Sequence, residues 1–184
     1  MTVRPEAIII VGLKRAVIGL TLAVVLGCGV KSETPDCRDY FLGKPESTRF
    51  KVSEDGLATH VDSGTTFYRC AAGQAFRFGR CLGGPLSMSK IDADLFAEEF
   101  SEKTKMSWRL PTSQELKFLA EASCQNPAVD TRVFPDLPIE NLWTSSERKL
   151  QNDAFQCVMY TFNGSISCKH ADNEPLPFLL VRAE

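Results

Sequence analysis

Trp108-Arg109-Leu110-Pro111-Thr112-Ser113-Gln114-Glu115-Leu116-Lys117-Phe118-Leu119 is the stretch on which the reading of this chain turns. Thr112 followed three residues later by Glu115 is a capping box. The threonine oxygen takes an amide left over at the helix start, and the glutamate reaches back to the amide of Thr112. Pro111 holds Leu110 extended, so Trp108 to Leu110 form a short extended entry to a helix whose apolar stripe is Leu116, Leu119 and Ala120. An extended tryptophan leading into a capped helix is expected to anchor a core.

Upstream, Ser89 caps a first helix reaching to about Glu102, with Ile91, Leu95, Phe96 and Phe100 near helical spacing and Asp92, Asp94, Glu98 and Glu99 on the other side. Before it, Phe50 to Val52 and Leu57 to Val61 read as strands joined at Glu54-Asp55-Gly56. Thr65 to Arg69 follows beyond Gly64, and a short strand at Phe76 to Phe78 lies in a glycine-rich loop. Downstream, the proline-bearing segment Ala122 to Leu142 is expected to be a long ordered loop and the place to seek a binding surface. Leu142 to Ser145 reads as a strand, Ser146 to Asn152 as a polar turn, and Phe178 to Val181 as a closing strand. Between them, Ala154 to Phe162 and Ser165 to Lys169 form a hairpin about Asn163-Gly164.

The chain has 184 residues, enough for one domain with a real core. Lys14 and Arg15 precede the uncharged run Ala16 to Gly27, which fits the basic and apolar regions of an export signal and is too short to span a bilayer. The run ends at Val25-Leu26-Gly27-Cys28, which resembles the bacterial lipobox. That resemblance implies acylation of Cys28, and Gly29 in place of aspartate implies the outer membrane. The expected organisation is a signal peptide over 1–27, a tether over 28–48 and a domain over 49–184. The membrane is then a partner through a lipid anchor, each buried methylene contributing about 0.8 kcal/mol.

Six cysteines remain, Cys37, Cys70, Cys81, Cys124, Cys157 and Cys168, which in an exported chain suggest three bridges. Short loops favour Cys70 with Cys81 and Cys157 with Cys168, leaving Cys37 with Cys124. A two-residue turn at Asn163-Gly164 would set Met159 opposite Cys168, so the Cys157 bridge requires a shifted register or a bulge. There is no Cys-x-x-Cys, and His60 and His170 are isolated, so no metal site or cofactor is expected. From Cys28 onward the chain has 18 basic and 22 acidic residues, a net charge of −4 that recommends no nucleic-acid partner.

A family then comes into view from residues in order. These are Asp55-Gly56 with Thr59 and Asp62, Tyr68-Arg69-Cys70 with Gly73-Gln74 and Cys81, Trp108 to Thr112 with Glu115-Leu116, Cys124 before Asn126-Pro127-Ala128, Val133-Phe134-Pro135, Trp143-Thr144-Ser145-Ser146, and Val181-Arg182. Together they resemble the C-terminal domain of the Legionella collagen-like adhesin. The resemblance implies an α+β, C-type-lectin-like fold with two helices packed on small antiparallel sheets and long disulfide-stapled loops. It departs at Phe67 or Phe76, where the family usually has tryptophan. The adhesin's association with sulfated glycosaminoglycans does not carry over to a chain of net charge −4.

The function expected is a non-catalytic envelope lipoprotein acting as a binding or assembly module, with a glycan or an envelope protein as ligand. Candidate contact residues are Phe134, Trp143, Arg77 and Arg80. A calcium site at Asn152-Asp153 or Asn173-Glu174-Pro175 is disfavoured by spacing, and turn residues are the preferred reading. The alternative is a periplasmic hydrolase or enzyme-accessory protein using His60 or His170. No nucleophile elbow, metalloprotease pair or phosphate loop accompanies either histidine, and each is expected to be an exposed strand residue. A purely structural envelope component is a third reading.

Overall fold

Among the described residues, short antiparallel strands and three helices build an α+β architecture whose order follows from where turn residues interrupt the apolar runs. The computed structural model describes residues 34–151 and 153–183. The signal segment 1–27, Cys28 and Asn152 lie outside the described residues. In chain order the elements are α1 (Cys37–Tyr40), β1 (Phe50–Val52), β2 (Leu57–His60), β3 (Thr66–Tyr68), β4 (Ala75–Arg77), β5 (Arg80–Leu82), α2 (Lys90–Thr104), β6 (Trp108–Arg109), α3 (Ser113–Leu119), β7 (Asn141–Leu150), β8 (Asp153–Tyr160), β9 (Ser165–His170) and β10 (Val181–Arg182). They form a five-stranded sheet in the order β1-β2-β3-β10-β6, a three-stranded sheet β7-β8-β9, and the β4-β5 pair.

The capping box forms as the sequence requires. The amide of Glu115 donates to Thr112 Oγ1 at 3.1 Å, and the amide of Thr112 donates to Glu115 Oε2 at 2.7 Å. Leu116 and Leu119 are buried, while Ala120 is the residue that ends α3. The helix capped by Ser89 is α2, since the short α1 precedes it where no helix was expected; the Ser89 hydroxyl accepts from the amide of Asp92, but the buried face of α2 differs from the expected one. Ala93 and Ala97 are buried with Phe96 and Phe100 packed beside them, whereas Ile91 and Leu95 are exposed. Two alanines one turn apart let the helix axis approach closely, and Ile91 and Leu95 lie on another stripe of the same helix.

Two hydrophobic clusters share a divider. Leu179 and Val181 point into one with Phe67, Leu116 and Phe134, while Phe178 and Leu180 point into the other with Trp108, Trp143 and Ala97. This period-two alternation is that of an extended chain buried on both faces. Only its end, β10, pairs as a strand, with β3 on one side and β6 on the other.

The hairpins correct the expected register. Tyr160 pairs with Ser165, so the turn spans four residues, and Cys157 stands opposite Cys168 with a bulge between Gln156 and Cys157. Gly164 closes that turn at φ +71, its amide donating to Tyr160 O, and a Cβ there would lie 2.9 Å from that of Ala120. Residues 146–150, expected as a polar turn, continue β7 because β8 supplies backbone partners from Glu147 to Leu150. Ser146 to Lys149 are polar and largely exposed, and Leu150 is exposed too, so no apolar alternation marked the strand. Phe78, expected at a strand end, instead forms with Gly79 the two-residue turn between β4 and β5.

Three disulfides join Cys37 to Cys124, Cys70 to Cys81 and Cys157 to Cys168. The first ties residues 34–48 onto the domain. The amide of Cys37 donates to Gln125 O, that of Gln125 donates to Pro35 O, and Phe41 is buried beside the bridge. The segment Ala122 to Leu142 is a long loop as expected, but it turns Ala128, Val129, Val133, Phe134 and Leu137 into the core rather than presenting them as a surface.

Candidate functional site

The fold brings the opening stretch to the rim of a depression of about 420 Å³, lined by Gly64, Thr65, Thr66, Arg109, Glu115, Arg182 and Ala183. The β2–β3 turn supplies Gly64 and Thr65, β3 Thr66, β6 the Arg109 side chain, the start of α3 Glu115, and β10 Arg182. Arg109 grips Glu115 with two bonds, Nη1 to Oε2 at 2.8 Å and Nη2 to Oε1 at 2.7 Å. Such a forked pair is planar and held in one orientation. Burial alone would raise the Glu115 carboxyl, but the Arg109 guanidinium and the Thr112 amide and hydroxyl outweigh it and hold it below the ordinary carboxylate range.

A lowered folded-state pKa means that the unfolded chain binds the proton first as pH falls. The stabilisation is therefore complete above the unfolded value of about 4.3 and is lost as pH drops through the folded one. Urea titrations between pH 7 and pH 3 are expected to show a shallower acid loss for Glu115→Gln than for the native chain. Parallel curves would mean that the pair is not coupled to folding.

At the other end of β2 and β3 lies the β4–β5 hairpin. It is docked by Arg69, a buried side chain that donates to Val133 O at 2.6 Å and Arg132 O at 2.7 Å, with its guanidinium 4.3 Å over the Phe76 ring. Tyr68 OH accepts from the amide of Phe76, and Gly56 makes room for the Phe76 side chain, a Cβ there coming within 2.6 Å of the Phe76 Cβ and 2.8 Å of its ring. Asp136 accepts from Arg80 Nε and from the amide of Cys81, and this arginine lowers its pKa. A depression of about 560 Å³ runs along the hairpin, lined by Val52, Ser53, Glu54, Arg69, Phe76, Phe78 and Gly79.

Of the residues named from sequence, Arg77 and Arg80 are exposed on this hairpin. Phe134 and Trp143 are not surface groups. Both are core, and the indole of Trp143 donates to Met88 O at 2.8 Å. That inward hydrogen bond is how a fully buried indole satisfies its N–H, so these two are withdrawn as contact residues.

His60 is also buried, not exposed. Its ring stacks on Phe118 at 4.5 Å, its Nδ1 meets Ser63 Oγ at 2.9 Å, and burial lowers its pKa. His170 bonds Glu174 Oε2 at 2.9 Å and lines a shallow hollow with Asp153, Phe155, Lys169 and Asp172. Glu174 also accepts from the amide of Ala171, so the pair fastens the end of β9 to the turn after it. Among the described residues no group of three or more His, Cys, Asp or Glu is placed to hold a metal ion.

The arginine–glutamate fork and the role of Phe78 were missed from sequence. For Phe78 a signal existed: Phe-Gly between Arg77 and Arg80 has the length of a two-residue hairpin turn.

Compared with known proteins, residues 56–182 match the family model of the Lcl C-terminal domain. No curated protein and no solved structure matches the chain.

Proposed function

We propose, because the chain belongs to the Lcl C-terminal domain family, that it is a non-catalytic, adhesin-like binding module of the cell envelope whose ligand meets the depression around Arg109, Glu115 and Arg182. That an adhesin-related domain is not a known enzyme family supports the first part, and no helix among the described residues is long and apolar enough to cross a membrane. The carrying observation is the depression itself. Five of its seven lining residues, Thr65, Thr66, Arg109, Glu115 and Arg182, are charged or bear a hydroxyl, and those from 64 to 182 fall inside the matched span. Such a surface offers hydrogen bonds and little apolar area, which favours a hydroxyl-rich glycan over an apolar ligand. An envelope protein is the second ligand class, and Cys28 is proposed as the lipid-bearing residue that keeps the module at the outer membrane.

The alternative through His60 or His170 has less support. His60 is enclosed by Phe118 and Ser63, and neither Ser, Thr nor Cys joins His170 in lining its hollow. Titrating immobilised envelope and cell-surface glycans with the mature chain tests the reading. Arg182→Ala is expected to weaken binding roughly tenfold, the value of one hydrogen bond to a charged group. Glycan binding that ignores Arg182→Ala would move the site elsewhere, and capture of envelope proteins without any glycan binding would replace the ligand class.

A further inference from the structure

Phe78 is 96% exposed and sits at φ +53, followed by Gly79 at φ +75. Positive φ is the province of glycine and asparagine, and a bulky side chain there is disfavoured. The folded domain gains nothing from the ring, which touches the outside of the molecule at the tip of a hairpin. Val52, half exposed, lines the same flank. An aromatic ring held out in this way is open to a partner that would bury it.

The position of the tip points to that partner. Gly79 and Arg80 line one small hollow together with Arg38 and Arg132, and Arg38 lies two residues from Asp36, the N-cap of α1 near the start of the described chain. Eight residue steps separate Asp36 from Cys28, a span of at most about 29 Å. A domain of about 150 residues has a radius of gyration of about 15 Å. A chain held at Cys28 by lipid therefore keeps this face, and not the far one, near the bilayer.

We infer that the β4–β5 hairpin is a membrane-docking finger, in which Phe78 enters the interface of the bilayer that carries the chain's anchor. This rests on the reading of Cys28 as the anchored residue. The charges around the tip are close to balance: Asp136 pairs with Arg80, Asp36 with Arg38 and Asp130 with Arg132, while Arg77 makes no ion pair among the described residues. Docking thus draws on the ring rather than on attraction to an anionic surface, and it is insensitive to salt. One ring binds weakly in solution. Tethering supplies the high local concentration that makes it sufficient. The polar depression, at the other end of β2 and β3, is then left free of the membrane.

In the unacylated chain from Cys28 onward, with the other six cysteines bridged, Cys28 carries the one thiol open to coupling. The test couples it to a maleimide-bearing lipid in phosphatidylcholine vesicles and places a reporter by Phe78→Trp, against the constant background of buried Trp108 and Trp143. The emission is expected to shift to the blue and to lose roughly half its intensity to brominated acyl chains, equally at 0.05 M and 0.5 M salt. Leu150→Trp, at the exposed end of β7, is expected to stay solvent-like. An F78W reporter that iodide quenches as fully on vesicles as in solution overturns the inference. So does equal lipid quenching of L150W, or an F78W response to a glycan or an envelope protein without one to lipid. Coupling imposes the anchor, so failure here is separate from failure of acylation, which Cys28→Ser and fractionation of cells address.

Discussion

Converting Cys37 and Cys124 together to alanine is expected to lower the unfolding free energy by about 4–5 kcal/mol, measured by urea titration of the mature chain. The same change at Cys70 and Cys81 is expected to cost about 3 kcal/mol. The difference follows from sequence separation, 87 residues against 11, because the longer loop removes more freedom from the unfolded chain. The long bridge also carries local structure. Cys37 opens α1, and with Cys124 and Phe41 it forms a separate buried cluster. Losing it should free residues 34–48 to proteolysis while the five-stranded sheet stays folded. Equal costs for the two bridges would show that residual structure in the unfolded chain, rather than loop length, sets the effect.

Trp143→Ala is expected to cost about 3–5 kcal/mol, the range for truncating a large buried aromatic. The indole has no solvent exposure and packs with Trp108, Val158, Phe178 and Leu180. Its N–H bond to Met88 O also fixes the chain just before α2. Trp143→Phe should recover most of the packing and leave a deficit of about 1 kcal/mol for the lost hydrogen bond. Thermal unfolding of the three proteins checks this order. A Trp143→Ala variant as stable as the native chain would return this residue to the list of candidate contact groups.

What could be read from sequence was what local chemistry decides. Thr112 with Glu115 and Ser89 with Asp92 act within one helical turn, so their caps appear in the sequence as they do in the fold. The Cys70–Cys81 bridge was legible for the same reason, whereas Cys157 with Cys168 depended on a longer turn and a bulge that only the paired strands reveal. The buried face of α2 was not, because close approach through Ala93 and Ala97 outweighs the larger apolar area of Ile91 and Leu95, and only the packed partner reveals that. The far half of β7 carries no alternation, its strand character coming wholly from backbone bonds to β8. At the candidate site, Glu115 was assigned to the helix end alone. Arg109 reaches it from outside the cap, six residues back, an interaction that no helical spacing announces.

Residues 178–181 follow every other buried core residue in the chain, yet they supply side chains to both hydrophobic clusters and edges to β3 and β6. Neither cluster can close until these residues have left the ribosome. A copy that stops short of Phe178 therefore presents two open apolar faces to proteases and chaperones, so the fold checks that synthesis has run this far. Evolution can lengthen or trim the loops ahead of this segment, but a frameshift anywhere upstream removes both cores at once.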